Sequence, residues 1–167
     1  MILLNTILVA TDFSEPSEAA LTYGRELARN FGARLVVLHV AGNIVAFGGG
    51  DGAVVIDPEV QSQVEAGARE RLESLISDED REQLRASTAL LISNATPQAI
   101  TSYAKETKVD LIVMGTHGRE GVMRVVLGSV AETVVRRAPC PVLTVHQPER
   151  ELVMAREPVR VGRGATA

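Results

Sequence analysis

Four residues carry the clearest chemistry in this chain: Gly115, Gly118, Gly128 and Ser129, spaced G-x2-G-x9-G-S. They follow the apolar run Leu111-Ile112-Val113-Met114. Behind them Val130, Ala131, Val134 and Val135 recur at helical spacing until Arg136-Arg137-Ala138-Pro139 ends the pattern. The spacing predicts a buried strand, a glycine-punctuated loop and the start of a helix. Glycines let backbone N–H groups come close to a ligand, and a helix N-terminus offers unpaired donors and a partial positive charge. That is the construction of a phosphate site. An ordinary βα turn leading into a Ser-capped helix uses the same residue types, so the chemistry depends on the elements around them.

Those elements repeat one unit. Ile2 to Ala10 is a nearly continuous apolar run, as in a strand covered on both faces. Ser14, Pro16 and the acidic pair Glu15 and Glu18 then start a helix whose inner face holds Ala20, Tyr23, Gly24, Leu27, Ala28 and Phe31. Gly32 stops it and Leu35 to Val40 forms the next strand. Ala41 to Asp57 is rich in glycine and reads as a flexible loop. A second helix follows Pro58, with Val60, Val64, Ala68, Leu72 and Ile76 on one face, and Ser77 to Arg85 reads as surface turn or helix end. Thr88 to Ser93, a helix after Thr96-Pro97, Val109 to Gly115, the Ser129 helix and Pro141 to His146 complete the alternation. Strictly alternating strands and helices imply an α/β fold: one doubly wound, Rossmann-like, five-stranded parallel sheet with helices on both faces. With the order 3-2-1-4-5, the winding reverses between the first and fourth strands, and ligands bind at the carboxyl ends of such strands. Those ends are Ala10-Thr11-Asp12 and Met114-Gly115, so motif and topology point to one crevice.

With its glycine–serine pattern in this strand–loop–helix context, the chain resembles the ATP-binding subgroup of the universal stress protein family, matching at Gly115, Gly118, Gly128 and Ser129. The resemblance implies a nucleotide-binding domain over residues 1–147, with 148–167 as a flexible tail. It implies that Asp12 accepts hydrogen bonds from the nucleoside, and that Ala10 and Val40 make apolar contacts to the base. ATP-binding members often carry proline at the position of Ala10. Met114, Gly115, Gly118, Arg119, Gly128, Ser129 and Val130 would line the phosphates. The Ser129 hydroxyl would meet phosphate or a water on the ATP-bound Mg2+ (or Mn2+). Asp12 is equally a capping carboxylate for the first helix, and Arg124 is equally a solvated loop cation. A homodimer through the fifth strand, Val142 to Val145, is also implied; an unpaired apolar edge is otherwise a liability.

Composition narrows the classes. The chain has 167 residues, 46% of them apolar and 23% charged, which suits one globular domain with a proper core. A net charge of −4 argues against a general nucleic-acid binder, whose footprint would be basic. No run is long enough to span a membrane and no signal peptide is visible at the start, so a cytoplasmic protein is expected. The single cysteine, Cys140, reads as a small buried apolar residue. There is no G-x4-G-K-[ST] and no G-x-G-x-x-G, which excludes P-loop and dinucleotide sites. His39, His117 and His146 lack metal-ligand spacing. Two functions stand: a nucleotide-dependent stress-response module with a protein partner of unknown identity, or a slow ATPase or phosphoryl-transfer enzyme on the same site. The first is preferred because the loop brings no base beyond His117 and Glu120 and no arginine clamp. A structural dimer that binds no nucleotide is the third reading.

Overall fold

The computed structural model describes residues 2–43, 46–47, 54–55, 58–116 and 127–146. In chain order the elements are β1 (Thr6–Thr11), α1 (Glu15–Phe31), β2 (Arg34–Ala41), β3 (Ala46–Phe47) and β4 (Val54–Val55). Then come α2 (Pro58–Ser74), α3 (Asp78–Leu84), β5 (Ser87–Ile92), α4 (Thr96–Glu106), β6 (Leu111–Gly115), α5 (Ser129–Arg137) and β7 (Val142–Val145). One all-parallel sheet of five strands runs β5-β2-β1-β6-β7, the expected order 3-2-1-4-5.

Successive side chains of a strand point to opposite faces, and both faces of this sheet are covered. Ile7, Val9, Leu35 and Val37 pack with Ala20 and Ala28 of α1, Leu72 of α2 and Leu84. Leu8, Val36, Leu38 and Ile112 pack with Ile100 and Ala104 of α4 and with Ala131 and Val134 of α5. This is why β1 and β2 read as unbroken apolar runs. Gly24 is needed where α1 crosses β1, since a Cβ there would lie 2.4 Å from Val9 Cγ2.

Several expectations change. Ile2 and Leu3 are outside β1 and exposed, because pairing begins at Thr6 with Arg34 and the Asp110 carboxylate accepts the Asn5 and Thr6 amides at 2.7 and 3.0 Å. Phe31 is exposed, and Ser17 and Leu21 join the buried face of α1 instead. Val60 and Val64 are also exposed; α2 reaches the sheet only from Ala68 onward. Within the glycine-rich stretch, β3 and β4 pair antiparallel.

The stretch Ser77 to Arg85, expected as surface turn or helix end, holds a short separate helix with a buried anchor. Ser77 accepts from the Asp80 amide at 3.1 Å and Asp80 accepts from the Ser77 amide at 3.2 Å, a capping box. Asp80 is 2% exposed and also receives Arg25 Nε at 3.0 and 3.2 Å, while Arg25 Nη2 donates to the Leu75 carbonyl. Burial disfavours the Asp80 carboxylate, but the Arg25 and Ser77 hydrogen bonds outweigh it and hold its pKa below the ordinary value. Cys140 is half-buried beside the α4–α5 cluster, and burial pushes its thiol pKa up.

Candidate functional site

The winding reverses between β1 and β6, with Ala10 level with Met114 across the two strands and Thr11 level with His39 across β1 and β2. Ala10 and Met114 are buried in the floor, while Asp12, Val40 and Gly115 are half-buried at the rim. These five residues converge at the carboxyl end, as expected. Gly118 and Arg119, together with His117, Glu120 and Arg124, lie outside the described residues.

At the rim the Gly128 amide donates to the Thr116 carbonyl at 2.7 Å, which ties the start of α5 to the end of β6. Gly128 is the N-cap of α5 and has no side chain to cap it; its carbonyl accepts from Glu132 at 2.8 Å. The amides of Ser129, Val130 and Ala131 therefore have no acceptor among the described residues. Ser129 is exposed and Val130 half-buried. Three amides without acceptors at the positive end of a helix are a donor set of the kind that can hold an anion. The terminus of α1, beside it, is different. Pro16 has no N–H, and the Ser17 and Glu18 amides both reach the Ser14 carbonyl at 3.0 Å.

Gly115 has a packing role that spacing did not reveal. A Cβ there would lie 2.9 Å from Pro16 Cβ and 3.0 Å from the Pro16 carbonyl carbon, so its absence lets α1 close onto β6. Gly128, with φ −60° and ψ 152°, is in a region open to any residue.

Asp12 works within the β1–α1 turn. It accepts the Ser14 amide at 3.1 Å and the Ser14 hydroxyl, so the Ser14 side chain ties the turn rather than capping α1. Thr11 Oγ1 accepts the Phe13 amide at 3.0 Å, and Phe13 sits at φ 63°, a left-handed conformation that a bulky residue rarely adopts. The Phe13 ring lies 4.4 Å from the ring of His39, whose Nδ1–H donates to the Thr11 carbonyl at 2.8 Å. Arg71 covers Phe13, with its guanidinium carbon 4.3 Å from the ring centroid.

These residues border a cleft of about 410 Å³ between the ends of β1 and β2 and the side of α2. Asp12 and Val40 line it, as do Phe13, His39, Gly67 and Arg71. The last four were not expected at a site. Gly67, a glycine in mid-helix, was the one signal in the sequence that could have marked that wall. Among the described residues no cluster of His, Cys, Asp or Glu could hold a metal ion, and no helix is long and apolar enough to cross a membrane.

Comparison with known proteins agrees with this architecture. The sequence model of the Universal stress protein family matches residues 4–146. A universal stress protein of Methanocaldococcus jannaschii is 31% identical over 160 residues, covering 89% of this chain and 86% of the relative. The structure of the universal stress protein UspA from Lactobacillus plantarum superposes with a TM-score of 0.67 at 25% identity, over 87% of this chain and 99% of that one. A universal stress protein from Archaeoglobus fulgidus, solved in complex with dAMP, superposes with a TM-score of 0.59 at 26% identity, over 87% of this chain and 99% of that one. Family match, sequence relatives and fold all coincide over the same sheet and its helices: this chain belongs to the universal stress protein family.

Proposed function

We propose that this protein binds ATP at the carboxyl rim between β1 and β6 and acts as a nucleotide-dependent regulatory module in the stress response. The observation that carries the reading is the bare terminus of α5: three amides without acceptors, set at the reversal of the sheet beside Met114 and Gly115. The dAMP complex of the Archaeoglobus fulgidus relative supports an adenine nucleotide. In this assignment the Ser129, Val130 and Ala131 amides hold phosphate oxygens, and Gly118 and Arg119 are further phosphate contacts. The Ser129 hydroxyl meets phosphate or a water on Mg2+ or Mn2+. Asp12 accepts from the nucleoside, and Ala10 and Val40 face the base. The metal, when bound with ATP, supplies charge neutralisation.

Mass analysis of nucleotide released from purified, denatured protein tests the proposal directly. ATP is the expected product. A preparation that releases no nucleotide and takes up none at millimolar ATP with magnesium would remove the site.

The same proposal includes a homodimer through β7, whose far edge has no strand partner in the described sheet and whose Val142 and Leu143 are only half-buried. Light scattering at micromolar concentration should give twice the chain mass; the single-chain mass would refute it.

A further inference from the structure

The chain leaving β2 is held by a contact outside the sheet's own ladder. β2 pairs with β5 as far as Ala41, level with Ile92, and the Ser93 amide donates to the Ala41 carbonyl at 2.8 Å. In a parallel ladder the next rung would run from the Asn43 amide to the Ser93 carbonyl. Instead the Asn43 amide donates to Asn94 Oδ1 at 2.8 Å, so a side-chain carboxamide carries the ladder past the strand. Gly42 makes room for it, since a Cβ there would stand 3.3 Å from the same oxygen.

We propose, resting on the reading of Val40 as a base contact, that Asn94 is a positioning residue for the nucleoside end of the ATP site. Its carboxamide fixes the backbone from Val40 to Asn43 before the ligand arrives. Val40, Ala41 and Gly42 line the same cleft as Asp12, so their backbone is the wall that a nucleoside meets. Asn94 does not line that cleft and acts on it only through Gly42 and Asn43.

The anchor is firm. Ser93 Oγ accepts the Ala95 amide at 3.0 Å, which braces the turn that carries Asn94. The Ala95 carbonyl accepts from the Ala99 amide at 3.0 Å as α4 begins, and Ile100 and Ala104 of that helix are buried in the cluster against the sheet. The held segment lacks such support, because Gly42 and Asn43 are both exposed. Glycine has more backbone freedom to lose on ordering than any other residue. Without the Asn94 bond that loss would fall on ligand binding, whereas a preformed wall has already taken it. A single hydrogen bond at an exposed position contributes little to folding. Its effect belongs to the site.

The test is calorimetry on the full chain with magnesium at constant ionic strength, titrating ATP in one arm and inorganic triphosphate in the other. Asn94→Ala removes the acceptor, and Asn94→Asp keeps an oxygen in its place. Asn94→Ala should bind ATP about fivefold more weakly, the scale of one hydrogen bond, while binding triphosphate as the wild type does. Asn94→Asp should restore most of the ratio of ATP to triphosphate affinity. In the unliganded protein, hydrogen exchange at the Asn43 amide, followed by NMR, should quicken in Asn94→Ala and slow again in Asn94→Asp. Equal weakening of both ligands in Asn94→Ala would overturn the proposal, and so would an unchanged ATP affinity, whatever the exchange shows. A wild type that binds triphosphate as tightly as ATP would overturn it too, while sparing the phosphate end of the site. A wild type that takes up neither ligand would remove the ATP site, and the role of Asn94 with it.

Discussion

The first turns of α3 and α5 solve the same problem in opposite ways. At α3, Ser77 and Asp80 satisfy each other's backbone amides, and Arg25 neutralises the carboxylate in a nearly solvent-free position. At α5, a glycine stands where the capping side chain would be, and three amides are left without acceptors among the described residues. The α3 terminus is closed to any ligand and spends its polar groups on holding α3 against α1. The α5 terminus contributes less to its own helix and leaves donors for an anion. Stability and ligand capacity draw on the same backbone groups, and each terminus commits them to one use.

The largest effect should come from opening the closed terminus. Asp80→Ala removes the buried carboxylate and leaves Arg25, itself three-quarters covered at 25% exposure, without its partner. A loss of about 3 kcal/mol in urea unfolding is expected, with nucleotide affinity of the folded protein unchanged. The same pair sets an acid limit. Because the folded Asp80 pKa is lowered, its stabilisation is full above the ordinary value of 3.8 and is lost as pH falls below that toward the folded value. The variant should lack this part of the acid transition in pH-dependent melting.

A smaller effect is expected at the junction beside the open terminus. Gly115→Ala places a Cβ against Pro16 backbone that cannot move cheaply. It should reduce stability by about 2 kcal/mol through overpacking, seen in the same urea assay.

Gly128→Asp turns the open terminus toward the closed design. The backbone there accepts any residue. A carboxylate cap should raise stability by only a few tenths of a kcal/mol relative to glycine. The same charge should repel phosphate and weaken ATP by at least tenfold, about 1.4 kcal/mol in calorimetry. Opposite signs for stability and affinity would confirm the trade; loss of both would mean the position serves folding alone.

The smallest effect is expected from His117→Ala. With no arginine clamp in the sequence, ATP hydrolysis should stay well below about 1 s⁻¹, and the variant should leave both occupancy and residual turnover unchanged. Turnover of several per second that collapses in the variant would transfer the site to the enzyme class.

Sequence alone determined the sheet. Period and punctuation are local properties: apolar runs such as Leu35 to Leu38, the Gly32 stop and the strand–helix alternation specified five parallel strands, and the motif spacing located the rim once the order 3-2-1-4-5 was taken. The family also followed from those residues, as the match over 4–146 shows. What only the tertiary structure decided are the contacts between segments far apart in the chain. Arg25 meets Asp80, Pro16 meets Gly115, and Arg71 meets Phe13, each across a separation that no local pattern encodes. A charge-rich stretch such as Ser77 to Arg85 looks like solvated surface until a distant arginine buries one of its carboxylates. In the same way, Gly115 looks in sequence like a glycine kept for a ligand, yet it answers to a neighbouring helix. Steric need and empty space are set by whatever packs against a residue, and only the folded chain contains that.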